Sequence, residues 1–183
     1  MSKKILFATT NEYKIREARA VFKDKNITVE PVALGLAELQ ELNQSVISLS
    51  KAKQAYAKLN QPVIVDDAGM FIESLDGFPG TLTSLVAKQL GIANIYKLIT
   101  EDEPAVFSAS VSYCDGNNTF TTLGSVHGVI KKIPINKNSL LSDVFFPVGE
   151  EDSLTMLTQA GYYSHRRIAL EKLHALLIEK ELI

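Results

Sequence analysis

Ten residues constrain this chain more than any others: Val63-Ile64-Val65-Asp66-Asp67-Ala68-Gly69-Met70-Phe71-Ile72. Val63 to Val65, preceded by Pro62, reads as a buried strand, because a short β-branched run after a turn residue suits a strand covered on both faces. A buried strand that ends in Asp-Asp carries two anionic side chains to the rim of a sheet. Successive strand residues point to opposite faces, so the two carboxylates are assigned different tasks. One faces a cleft, where it holds a cation or activates water, and the other orients it or binds nearby backbone. Gly69 marks a close backbone approach or an unusual φ just after the pair. A plain turn also uses Asp and Gly, so the remainder of the chain has to decide.

Ahead of this stretch, Ile5 to Ala8 reads as a central strand that breaks at Thr9-Thr10-Asn11. The helix that follows places Ile15, Ala18, Val21 and Phe22 on one face, with Asn11 or Thr10 as its cap. Thr28 to Val32 reads as a second strand. Gly35 to Gln44 is irregular and carries Glu38 and Glu41. A helix then runs to about Leu59, with Leu49, Ala52, Tyr56 and Leu59 inward and Lys51 one position from that face.

Beyond the acidic strand, Asp76-Gly77 and Pro79-Gly80 punctuate a loop, and two short helices are expected near 83–90 and 94–100. Phe107, Ala109, Val111 and Tyr113 alternate with Ser108, Ser110 and Ser112, the period of a half-buried strand. Asp115 to Asn118 turns the chain, and Thr119 to Val126 returns as its partner, with Gly128 to Ile130 continuing the sheet. Pro134 to Pro147 reads as loop. A closing helix from about His165 to Lys180 takes Ile168, Ala169, Leu173, Leu176 and Leu177 as its apolar side.

The totals set limits. A chain of 183 residues, 46% hydrophobic and 22% charged, is most simply one domain with a real core. A formal net charge of −2 argues against a general nucleic-acid surface, so any phosphate site must come from a local basic cluster. The single cysteine, Cys114, excludes an intrachain disulfide and offers no metal spacing. No run reaches membrane-spanning length, and Met1-Ser2-Lys3-Lys4 does not open a secretory leader, so a cytoplasmic protein is expected.

Two helix starts carry chemistry. Thr9-Thr10-Asn11-Glu12-Tyr13-Lys14 gathers hydroxyls, an amide and a lysine around free backbone N–H groups, a setting that attracts anions. Ser164-His165-Arg166 opens the last helix with cations, which oppose the helix dipole unless an anion sits there. Two such starts and a carboxylate pair are the parts of a metal-assisted phosphate-ester hydrolase. The glycine content fits no P-loop, the serines fit no nucleophile elbow, and His127, His165 and His174 lack zinc spacing.

The order of these motifs resembles the inosine triphosphate pyrophosphatase family, hydrolases of non-canonical purine nucleoside triphosphates. Thr9-x-Asn11-x-x-Lys14, Lys51-Ala52, Val65 to Met70, Phe78-Pro79-Gly80 and Ser164-His165-Arg166 with Ala169-Leu170 match its signatures across nearly the whole chain. The resemblance implies an α/β fold: a long, twisted mixed sheet with flanking helices, two lobes and a central cleft. It also implies Mg²⁺, release of pyrophosphate, and a homodimer.

Residue by residue, it makes Asp67 the catalytic carboxylate for metal and water, with Asp66 in support and Glu41, or else Glu38, as the second metal carboxylate. Thr9, Thr10, Asn11, Lys14 and Lys51 would hold the triphosphate, and Asp143, His165 and Arg166 would lie near the base. Lys14 is counted with Asp67 in the catalytic set.

Four positions depart from the family's pattern. Leu140 stands where an aromatic stacks on the purine, leaving only Asp143 and the later Phe145-Phe146. Ala160 replaces a lysine, Ala68 a serine or threonine, and Leu82 a tyrosine. The expectation is therefore a Mg²⁺-dependent nucleoside triphosphate pyrophosphatase with altered base selectivity. A nucleotide-binding or regulatory homologue with little turnover is the alternative, and a hydrolase of modified or pyrimidine nucleotides lies between them.

Overall fold

The computed structural model describes residues 3–161 and 163–183. Met1 and Ser2, on which part of the leader argument rests, lie outside them. Seven strands among the described residues form one mixed sheet: β1 (Lys3–Ala8), β2 (Ile27–Val32), β3 (Val63–Ile72), β4 (Pro79–Gly80), β5 (Glu103–Cys114), β6 (Thr119–Ile130) and β7 (Phe145–Pro147). Their order is β2-β1-β3-β5-β6-β7, with β4 attached to β3. The helices are α1 (Glu12–Phe22), α2 (Gln44–Leu59), α3 (Thr83–Gln89), α4 (Ile92–Ile95), α5 (Leu154–Gln159) and α6 (His165–Glu179). This is the α/β sheet-and-helix architecture expected from the sequence.

The chain divides into two compact units. The first runs to Asp67 and adds Ala109–Gly124 and Arg166–Ile183; the second comprises Ala68–Ser108 and Ser125–His165.

In the first unit β1 pairs in parallel with β2, Lys3 opposite Ile27, and with β3, Leu6 opposite Val63. Parallel strands need covering on both faces, and the alternation supplies it. Ile5, Phe7 and Ile64 pack with Ala18, Val21 and Phe22 of α1 and with Ala169, Leu170, Leu173 and Leu177 of α6. Leu6, Val63 and Val65 pack instead with Ala52 and Ala55 of α2. Each strand is thus apolar at consecutive positions because a helix layer lies on either side.

In the second unit Met70 and Phe71 pair antiparallel with Gly80 and Pro79, and Gly128 to Ile130 with Pro147 to Phe145. Gly128 has a steric reason: a Cβ there would lie 2.3 Å from the Phe146 carbonyl oxygen, too close for any other residue without movement.

Several expectations need correction. β3 does not end at the acidic pair but runs unbroken to Ile72, with Gly69 inside it as strand rather than turn. The buried face of α2 is Gln44, Ile47, Ser48, Ala52 and Ala55, while Leu49, Tyr56 and Leu59 are only partly covered. The serines of β5 are not a solvent face. Ser110 and Ser112 are buried and both bond to the Ser48 hydroxyl at 2.8 Å, and Ser112 reaches Thr121 at 2.7 Å. Hydroxyls that satisfy one another are cheap to bury, so a polar period does not guarantee solvent. The helix expected near 94–100 starts and stops earlier, as α4, and 134–147 holds a short turn at Leu141–Asp143 and β7. On α6, Leu170 joins the core, whereas Ile168 and Leu176 are half-buried.

Candidate functional site

The acidic pair of β3 follows the strand's alternation. Asp66 shares a face with Ile64, toward α1 and α6, and Asp67 shares one with Val65, toward α2. Asp66 is almost fully enclosed. Its Oδ1 meets Lys14 Nζ of α1 at 2.9 Å, and its Oδ2 accepts from Arg166 Nε of α6 at 2.7 Å. Arg166 also donates through Nη1 to Glu17 Oε2. Burial alone would raise the Asp66 carboxyl, but Lys14 and Arg166 outweigh it and hold the group well below the usual carboxylate range. Asp66 is therefore a fixed anion whose two oxygens are both committed.

The cations at the start of α6 now have a structural account. Arg166 opposes the helix dipole, but Asp66 and Glu17 supply the anions that the sequence did not place beside it.

Asp67 sits differently. Its Oδ1 accepts from Lys51 Nζ of α2 at 3.3 Å, and its Oδ2 is buried with no hydrogen-bond partner among the described residues. Burial raises this carboxyl above its ordinary value, against the pull of Lys51 and Lys14. Lys51 also pairs with Glu38 Oε2 at 2.5 Å. Two carboxylates therefore share one ammonium, and one of them keeps an unsatisfied oxygen. Such an oxygen can bind a cation or take a proton from water.

Glu41, expected as the second metal carboxylate, has one oxygen on backbone. Its Oε1 accepts from the backbone N–H groups of Leu42 at 2.7 Å and Asn43 at 3.2 Å, just before α2. Glu38 stands beside Lys51 and Asp67.

The turn from β1 into α1 is built by short-range bonds. Asn11 caps α1, its Oδ1 accepting from Tyr13 N–H at 3.0 Å and Lys14 N–H at 3.4 Å, while Thr9 Oγ1 accepts from Asn11 N–H at 3.1 Å. This fixes the first turn of α1 and so the root of the Lys14 side chain. Thr10 is exposed beside it.

The residues expected near a base are divided. Arg166 belongs to the first unit and is buried against acids. Asp143 and His165 belong to the second. Asp143 Oδ2 accepts from Leu140 N–H at 2.7 Å and so holds its own turn together. His165 is buried with its ring 5.2 Å from that of Phe107, which also meets Phe145 edge-on at 5.1 Å. Phe145 is thus core, and Phe146 carries Lys131 over its ring at 4.4 Å. Leu140 and Ala160 are exposed.

Sequence reasoning missed Glu17 altogether. The available signal was its place three residues after Lys14, on the same face of α1.

The chain is similar to known proteins over most of its length. The model of the Ham1 family matches residues 5–176. A dITP/XTP pyrophosphatase of Hyperthermus butylicus is 37% identical over 174 residues, 92% of each chain. One from Methanopyrus kandleri is also 37% identical, over 92% of this chain and 93% of its own. Among solved structures, the Ham1 protein of Staphylococcus aureus superposes with a TM-score of 0.78 at 27% identity, covering 97% of this chain and all of the other. With the family model spanning nearly the whole sequence and relatives matched over about nine-tenths of both chains, the resemblance read from the motifs holds, and the chain belongs to the Ham1 family.

Proposed function

We propose that the protein hydrolyses non-canonical purine nucleoside triphosphates, of the dITP and XTP class, to the monophosphate and pyrophosphate, with Mg²⁺ as cofactor. One observation carries the chemistry: Asp67 is a buried carboxylate with one oxygen on Lys51 and the other unpartnered, next to an acid already neutralised by two cations. The substrate class is supported by the names of the relatives matched over most of both chains.

In this reading a water oxygen bonds to the α-phosphorus while Asp67 Oδ2 takes the water's proton. The bond from the α-phosphorus to the oxygen bridging the β-phosphate breaks, and pyrophosphate leaves with the electron pair. Burial, by raising the Asp67 carboxyl, makes it a stronger base than an exposed aspartate. Lys14, Lys51 and the positive end of α1 neutralise charge on the departing phosphates.

Asp67 and Glu38 fit a hard cation by donor type. Magnesium commonly takes one or two carboxylates and completes its shell with water and substrate phosphate. When bound, the ion would supply neutralisation of phosphate charge and polarisation of a phosphoryl oxygen.

The family resemblance supports a homodimer as a further part of the proposal, and the sequence reading adds a cytoplasmic setting. Among the described residues no helix is long and apolar enough to cross a membrane. Pyrophosphate release from a panel of purine and pyrimidine triphosphates, with and without Mg²⁺, tests the reading. Release from ITP or XTP that needs the metal supports it. Tight nucleotide binding without release would assign the chain to nucleotide binding or regulation instead.

A further inference from the structure

Four charged side chains of the first unit form a continuous row: Glu17, Arg166, Asp66 and Lys14. Arg166 is held at both ends, through Nη1 to Glu17 and through Nε to Asp66, and Asp66 turns its other oxygen to Lys14. Exposure rises at the lysine end: the side chains of Asp66, Arg166 and Glu17 are 1%, 8% and 12% exposed, against 23% for Lys14. The row is neutral overall, two anions alternating with two cations. Glu17 is the member that no motif or chemical argument required.

We propose that Glu17 is a positioning residue for triphosphate binding, acting through Arg166 and Asp66 on the Lys14 ammonium. This rests on the reading that Lys14 contacts phosphate. A guanidinium tied to Glu17 is held edge-on, so that it gives Asp66 only Nε. The remaining Asp66 oxygen is then fixed in direction, and it sets where Lys14 Nζ points. Because Asp66 is shared between two cations, neither takes its whole charge, and Lys14 keeps attraction for an incoming anion. Removing Glu17 frees the guanidinium to swing until one edge presents two parallel N–H groups to Asp66, which displaces or reorients the lysine. Lys14 and Glu17 lie one turn apart on α1, so the same helix carries the reader of phosphate and the residue that aims it.

Inorganic tripolyphosphate isolates this effect from the base. Its binding to the full chain in Mg²⁺ buffer is measured by calorimetry for wild type, Glu17→Ala, Glu17→Gln, Lys14→Ala and the Glu17→Ala/Lys14→Ala double variant. Groups in one charged network couple, and a coupling of that class predicts about tenfold weaker binding for Glu17→Ala. In the Lys14→Ala background the same change should cost less than about twofold, because the group it aims is gone. Glu17→Gln retains an acceptor for Arg166 and falls between wild type and Glu17→Ala.

Equal losses from Glu17→Ala in both backgrounds, or no loss in either, would overturn the proposal. Should Glu17→Ala not fold, Glu17→Gln is carried through the same two backgrounds and judged the same way. ITP turnover by wild type is followed in parallel. Its absence would overturn the proposed function, while the tripolyphosphate comparison still decides the role of Glu17.

Discussion

Replacing Asp66 with asparagine tests the electrostatics of the site without changing its shape. The carboxylate is buried and binds two cations, so Asp66→Asn leaves Lys14 and Arg166 facing an amide, with Glu17 alone to balance them. Breaking a buried ion pair by removing one partner costs about 3–5 kcal/mol. For a chain of this size that is roughly 6–20 °C in Tm. The pH dependence has a definite sign. Because the folded-state carboxyl lies below its unfolded value, Asp66 contributes stability that is fully present above the unfolded value and is lost as pH falls toward the folded one. Wild type should therefore lose stability as pH drops below about 4, the ordinary aspartate value. Asp66→Asn should lose less over that range, having already lost this contribution. Asp67 acts in the opposite sense, since its raised carboxyl weakens the fold as pH climbs through its titration. Thermal and urea melts of wild type and Asp66→Asn from neutral pH to pH 3 are the assay. A variant within about 1 kcal/mol of wild type at neutral pH would refute the claim that these ion pairs are formed and buried.

Three further outcomes follow from the same geometry. Lys14→Ala should weaken triphosphate binding and slow pyrophosphate release, whereas Lys23→Ala, beyond the far end of α1, should change neither; equal losses would point to a general stability effect. Glu38→Gln should raise the Mg²⁺ concentration needed for half-maximal activity, while Glu41→Gln should leave it nearly unchanged, because Glu41 serves the backbone before α2. The ratio of kcat/KM for ITP over ATP should be nearer a hundredfold than ten-thousandfold if Leu140 and Ala160 stand where the family resemblance puts an aromatic and a lysine for the base; a ratio of several thousand would mean other residues have rebuilt that selectivity.

The parts most legible in the sequence were those that local chemistry decides. The cap at Asn11 and the buried face of α1 follow from side-chain type and a 3.6-residue period, and both are found. The different partners of Asp66 and Asp67 follow from the twofold period of a strand, which turns them to opposite faces. What could not be read was anything set by a partner distant in sequence. β3 continues through two aspartates only because Lys14, Lys51 and Arg166 arrive from three helices to neutralise them. The serines of β5 are buried only because Ser48 and Thr121 meet them. Glu38 and Glu41 are equivalent as letters, and the fold separates them by giving one to Lys51 and the other to backbone N–H groups. Arg166 illustrates both sides. Its position at a helix start demanded an anion, yet nothing local said that the anions would be Asp66 and Glu17.

The central claim is that the buried, unpartnered oxygen of Asp67 does chemistry, and Asp67→Asn measured in two ways tests it most directly. The substitution keeps the shape and removes the charge that burial disfavours, so the variant should melt at or above the wild-type temperature. Pyrophosphate release from ITP under saturating Mg²⁺ should nonetheless fall by about a hundredfold or more, the scale of losing a group that acts in the transition state. A folded Asp67→Asn protein that releases pyrophosphate within a few-fold of the wild-type rate would contradict the account.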